Sequence, residues 1–390
     1  GWGRTATESW TFDRDRAGYA GQFIWTGIDY IGEPTPWHNQ DNTPVKSSYF
    51  GIIDTAGLPK NDFYLYRSEW YSAKEKPTVR ILPHWNWTEE TLKDRKMLVD
   101  GKVPVRTFSN AASVELFLNG ESLGKKEFTK KTTEDGRPYH EGAKPSELYL
   151  EWLVKYQPGT LTAIARDENG NEIARDSVTT AGEPARVRLT KEEHVITADG
   201  KDLSYIHYEI VDGDGNVVPT ANNLVHFNLH GQGQIVGVDN GEQASRERYK
   251  AQADGTWQRR AFNGKGVVIV KSTEKEGKFT LYADSAGLTS DSATVATVSG
   301  KKENRHFVAF APVKATTDVT TNPELPQTVT AIYSDGSVEE KTVTWDVPAD
   351  LLTSAGEKKV SGRVEGLETK AEALVKVVAL DRWLPKVATV

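Results

Sequence analysis

The 390-residue sequence contains no cysteine and a single methionine. Zero cysteine excludes disulfides, thiolate metal sites and cysteine nucleophiles, while leaving the compartment open. No apolar run approaches the about 20 residues a membrane-spanning helix needs, so no membrane insertion is expected. There is no initiator methionine, and Gly1-Trp2-Gly3-Arg4 lacks the basic-then-apolar pattern of a leader. A piece cut from a longer protein at both ends is therefore expected. Basic residues fall short of acidic ones, 48 against 55, for a formal net charge of −7. That favours solubility and argues against a nucleic-acid partner. The eight histidines are scattered and form no helical His-x-x-x-His pair, so no metal site is expected. His226 and His230 are four apart but lie in a strand-like run.

What is present is ordinary for a globular protein, 37% hydrophobic and 26% charged. The length allows two to four domains. Tryptophan is unevenly placed: Trp2, Trp10, Trp25, Trp37, Trp70, Trp85 and Trp87 put seven of the eleven before residue 88. Such a cluster is either an unusually aromatic core or a surface that stacks flat ligands such as sugar rings.

Residues 1–76 read as helix, strand, long loop, helix. Ser9–Ala20 suits an amphipathic helix. Gly21-Gln22-Phe23-Ile24-Trp25-Thr26 reads as a strand buried on both faces. A Gly-, Pro- and Asn-rich loop follows to about Lys46, and Asn61–Ser72 carries apolar residues at helical spacing. This order fits the C-terminal end of an (α/β)8 barrel. From Pro77 the grammar changes to short strands punctuated by turns such as Asn119-Gly120, Asp135-Gly136 and Asn169-Gly170. The fold class expected is mainly β: a barrel end over 1–76, then three Ig-like β-sandwich modules over 77–183, 184–300 and 301–390, the last including the start of a linker.

Several motifs resemble sites without the context for one. Gly231–Gly237 has dinucleotide-loop spacing wrong by one residue and reads as a turn-rich loop. Asp212-Gly213-Asp214-Gly215-Asn216 opens like a calcium loop, but Asn223 stands where the twelfth-position glutamate belongs, so a hairpin turn is expected. Leu325-Pro326-Gln327-Thr328 lacks the glycine that would make it a sorting signal. Trp345 and Trp383 could bind sugar but read better as core and linker.

Chemistry is expected where the barrel strand ends, at Trp25, with Asp29, Tyr30, Glu33, Trp37, His38 and Asn39 in the loop beyond it. An indole can stack under the C–H face of a sugar, and carboxylates and amides can select its hydroxyls. The same residues could equally be core aromatics and helix caps.

Phe23-Ile24-Trp25-Thr26-Gly27-Ile28-Asp29-Tyr30-Ile31-Gly32-Glu33-Pro34-Thr35-Pro36 resembles the last barrel strand and loop of glycoside hydrolase family 2 β-galactosidases. So does Lys46-Ser47-Ser48-Tyr49-Phe50-Gly51-Ile52-Ile53-Asp54-Thr55-Ala56-Gly57-Leu58-Pro59-Lys60. Leu82-Pro83-His84-Trp85-Asn86-Trp87 is similar to the opening of the sandwich that follows. Within the family the likeness is strongest to the large wall-anchored enzymes of streptococci.

The resemblance implies an exo-acting, retaining enzyme that removes terminal β-linked galactose with two glutamates and no cofactor. Neither glutamate context occurs here, so both are expected upstream of Gly1 and the chain alone is expected to be inactive. Trp25 matches the galactose platform, and Asp29 and Tyr30 match positions that shape the pocket. Glu33 lies in the loop motif, and Trp37, His38 and Asn39 border the aglycone side. The implied partners are a galactose-terminated saccharide and the upstream half of the same barrel. The implied location is extracellular, at a bacterial cell surface, anchored through a region beyond this chain. A non-catalytic adhesin or carbohydrate-binding protein built of sandwich modules is the alternative.

Overall fold

The computed structural model describes residues 4–34, 46–94, 96–144, 147–299 and 306–379. It is mainly β, with 7% helix and 46% strand. The first helix, Ala6–Arg14, starts earlier than its apolar spacing suggests because Thr5 and Glu8 form a capping box, each satisfying the other's backbone N–H. It packs on the helix Asn61–Trp70 through the Trp10 indole, which donates to Glu69 Oε2 at 2.7 Å and meets Trp70 edge-on at 6.5 Å. Burial pushes the Glu69 carboxyl up to about 7. Together the helices cover Phe108 and Leu148 of the next module.

The run Gly21–Thr26 is not the buried strand that its composition suggests. It makes no ladder; Phe23 is fully exposed (104%) and Trp25 is 67% exposed. A strand buried inside a sheet needs partners for its backbone groups on both edges. Within the run the Thr26 carbonyl accepts from the Ile52 N–H at 3.2 Å, and beyond it single bridges pair Ile28 with Ile53 and Ile31 with Ser47.

The first sandwich has one sheet of Val79–Leu82, Val103–Ser109 and Leu150–Val154. Its other sheet is ordered Glu121–Glu127, Ser113–Leu118, Thr160–Arg166, Glu172–Thr179. Asn119 and Gly120 both take positive φ, as a two-residue hairpin of primed type requires. Trp85 and Trp152 sit in its core, and the fully buried Trp85 indole donates to the Gln157 carbonyl at 2.9 Å.

The second sandwich pairs a four-stranded sheet (Arg186–Lys191, Leu203–Val211, Lys265–Ser272, Gly233–Asp239) with a five-stranded one. The latter runs Val195–Thr197, Asp291–Val298, Gly277–Asp284, Leu224–Gly231, Trp257–Arg260. Much of the stretch read as a turn-rich loop at 231–237 is therefore strand. It pairs with Lys265–Ser272 through a bulge between Ile235 and Gly237, and Gly233 lies so close to Phe279 and Val270 that a Cβ would collide. Asp212 caps its turn by accepting from the Asp214, Asn216 and Gly182 backbone N–H groups. Desolvation opposes ionisation there, but these hydrogen bonds hold the carboxyl down at about 2.

The third module is one six-stranded sheet ordered Phe307–Phe310, Thr328–Tyr333, Val338–Asp346, Gly356–Val364, Ala371–Val378, Val313–Asp318. Trp345 packs against both of its core clusters and donates to the Pro326 carbonyl at 2.8 Å, a core role. Trp383 lies outside the described residues. Val195, Ala296 and Val298 of the second sandwich share a buried cluster with Ile332 of the third, so these two modules are joined by an apolar contact.

Burial sets the expected costs of truncation. Trp85→Ala should lower unfolding free energy by about 4 kcal/mol in urea denaturation. Phe23→Ala should cost under about 0.5 kcal/mol, because its ring touches water in this chain.

Candidate functional site

The loop following Trp25 is shaped by one buried carboxylate. Asp29 Oδ1 accepts from the Gly51 N–H at 2.7 Å and from the Ser48 hydroxyl at 3.2 Å. Asp29 Oδ2 takes Lys60 Nζ at 2.5 Å and Gln243 Nε2 at 3.2 Å. The Asp29 side chain is fully buried and Lys60 only partly exposed. Gly51 must be glycine for this approach, since a Cβ would strike Asp29's own backbone. Backbone bonds reinforce the knot: Asp29 N to Ile53 O at 2.9 Å, Ser48 N to Tyr30 O at 2.8 Å, and Gly32 N to Lys46 O at 2.9 Å.

With Asp29 inside, its neighbours face outward. Trp25 and Tyr30 meet edge-to-face at 6.4 Å and 84°, and Tyr30 meets Phe50 at 6.0 Å and 70°. The Tyr30 hydroxyl donates to Glu33, and this bond raises the phenol above its ordinary range. The Trp25–Thr26 peptide is cis. Trp25, Phe50 and Tyr49 border a cavity of 540 Å³, whose cations Arg4 and Lys60 already have partners: Arg4 stacks on Phe12 and Lys60 pairs with Asp29.

The structure thus brings together Trp25, Asp29, Tyr30 and Glu33; Trp37, His38 and Asn39 lie outside the described residues. Their roles differ. Asp29 is tied on both oxygens to protein donors, whereas Trp25 and Tyr30 present aromatic surface. Sequence reasoning missed Lys60, Ser48 and above all Gln243, which is distant in sequence and stands in a stretch without periodicity. Among the described residues no group of three or more His, Asp and Glu is placed to hold a metal ion.

Behind the loop, Asp54 caps the turn at Gly57 by accepting from the Ala56 and Leu58 N–H groups, both at 2.9 Å. Burial pushes its carboxyl up to about 6, with Asp239 of the second sandwich adding repulsion.

Comparison with known proteins agrees with this architecture. Residues 187–294 match the model of glycoside hydrolase family 2 C-terminal domain 5. Residues 310–367 match a bacterial Ig-like domain (group 4), and residues 100–174 a domain of unknown function. The β-galactosidase BoGH2A of Bacteroides ovatus is 42% identical over 287 residues, covering 74% of this chain and 29% of that protein. A putative β-glucuronidase of Formosa agariphila is 29% identical over 377 residues, covering 93% of this chain and 32% of that protein. A β-glycosidase structure from Bacteroides vulgatus superposes with a TM-score of 0.56 at 31% identity, covering 69% of this chain and 30% of that one. A family 2 glycosyl hydrolase from Bacteroides cellulosilyticus superposes with a TM-score of 0.58 at 28% identity, covering 75% and 38%. The chain is similar to the C-terminal region of family 2 β-galactosidases and β-glucuronidases, and spans about a third of the curated relatives' length.

The electrostatics give a signed expectation. Asp54's folded pKa of about 6 exceeds its ordinary 3.8, so its stabilising contribution is full below the lower value and lost as pH rises through the higher. The melting temperature of Asp54→Asn relative to the parent should therefore rise between pH 5 and pH 7, as read by thermal unfolding at both values.

Proposed function

We propose that this chain is the C-terminal part of an exo-acting, retaining β-galactosidase, with its two catalytic glutamates upstream. The observation that carries this is the exposed Trp25 bordering a cavity, with the half-buried Tyr30 edge-on against it and a buried carboxylate knot behind the loop. A side chain as large as tryptophan left facing water beside a cavity suits stacking under a sugar ring. The unpaired run at Phe23-Ile24-Trp25 supports a barrel completed from upstream, since its apolar surface and free backbone groups need neighbours. Galactose is favoured over glucuronate because the Bacteroides ovatus β-galactosidase is 42% identical over 287 residues, against 29% over 377 residues for the Formosa agariphila putative β-glucuronidase.

Here Trp25 is the platform. Tyr30, with its proton held by the bond to Glu33, keeps the platform's edge in place. Neither carboxylate suits the nucleophile's role: Asp29 is saturated by donors and Glu33 accepts from Tyr30. Retention requires a pair about 5–5.5 Å apart across the bond, which the upstream half would supply. An extracellular parent of the wall-anchored streptococcal type is the narrower reading, in which residues 305–390 would act as a spacer holding the barrel away from the wall.

A clean sample of this chain should show no turnover of a chromogenic β-galactoside; measurable hydrolysis would refute the assignment of the glutamates. In the protein extended through the upstream strands, Trp25→Ala should weaken galactose inhibition by more than about 1 kcal/mol. Preference of that extended protein for a β-glucuronide over a β-galactoside would overturn the sugar assignment.

A further inference from the structure

We infer that Gln243, on the second sandwich, is a positioning residue for the loop carrying Trp25 and Tyr30, so this sandwich is a wall of the site. The inference rests on the sugar-pocket reading above. Residues 239–249 leave the sheet edge and reach the loop at two points. Gln243 Nε2 donates to Asp29 Oδ2 at 3.2 Å, and the Gln243 carbonyl accepts from the Lys46 N–H at 3.3 Å. Lys46 in turn accepts from Gly32 and lies over the Tyr249 ring at 4.4 Å. One side chain and one carbonyl thus grip both strands of the bridged loop.

The grip is rigid from its own side. Arg259, fully buried, donates to Asp239 Oδ1 at 3.0 Å, Asn240 Oδ1 at 2.8 Å and the Glu247 carbonyl at 3.0 Å. Three bonds from one guanidinium fix both ends of the segment that presents Gln243. The fit is close: at Gly241, whose φ is +75°, a Cβ would collide with the Asp54 carboxylate. A loop that only joined two strands would face water, but Asp239, Asn240 and Ser245 are all buried. A hydrogen bond to an ionised carboxylate withdrawn from water is among the stronger kinds, and its loss is felt by every group that carboxylate orients.

Gln243→Met keeps the length and bulk of the side chain and removes only the donor. In this chain, amide hydrogen exchange at Asp29, Gly32 and Gly51 should become about tenfold faster in Gln243→Met, the scale of one charge-assisted hydrogen bond. Exchange in the strand Lys265–Ser272 should stay unchanged. In the protein extended upstream, the galactose inhibition constant should rise several-fold in Gln243→Met and stay at the parent value in Gln234→Ala, on the exposed side of the same sandwich. Parent-like exchange in Gln243→Met would overturn the positioning role, whatever the enzyme's substrate. Faster exchange with an unchanged inhibition constant would confine Gln243 to folding and overturn its place in the pocket. An extended parent protein that neither binds nor cleaves a galactoside would instead sink the proposed function, and the pocket role with it, while the mechanical link remained measurable.

Discussion

The Asp29 carboxylate is the constraint around which this end of the molecule is organised. It is withdrawn from water, so each oxygen needs partners, and an unpaired buried charge would cost several kcal/mol. Its donors come from Ser48 and Gly51, from Lys60 at the entrance to a helix, and from Gln243 on another module. Satisfying one ion therefore brings together two sides of a loop, a helix and a sandwich. The aromatic surface of Trp25 and Tyr30 is oriented as a consequence.

The same logic runs outward through the second sandwich. Arg259 is as deeply buried as Asp29 and of opposite sign, and it too is answered by several acceptors. Between the two lies a seam containing Asp54, Asp239, Lys46 and Glu247. Burial and the Arg259 charge lower Lys46, while burial and Asp239 raise Asp54. Low dielectric enlarges both the attractions and the penalties, so the seam is held in one arrangement and responds to charge.

Much of this fold was legible in the sequence where periodicity is local. Val79–Leu82 and Ser113–Leu118 could be read residue for residue, because strands facing a core alternate and Asn119-Gly120 dictates its turn. The failures have physical causes. Gly21–Thr26 looks buried on both faces, and its composition is right for that, but burial is a property of neighbours that this chain does not provide. Residues 231–237 looked like a loop because their glycines suit turns, but Gly233 stands in a strand where Phe279 and Val270 leave no room for a side chain. Trp25, Asp29, Tyr30 and Glu33 were found from a local motif and do lie together. Gln243 could not be, since nothing near it in sequence hints that its amide faces a carboxylate 214 positions away.

The two junctions beyond the first sandwich differ in chemistry. The second and third modules meet through the apolar cluster of Val195, Ala296, Val298 and Ile332, with Lys314 lying over the Tyr282 ring beside it, a contact that is geometrically tolerant. The second sandwich meets the Asp29 loop through directional hydrogen bonds to ions. An apolar contact suffices where a module need only stay attached. Bonds to a buried carboxylate, which fail if an atom moves by an ångström, are the kind needed where position itself is the requirement. That difference separates the third module, joined to its neighbour, from the second, which reaches the loop that carries the aromatic pair.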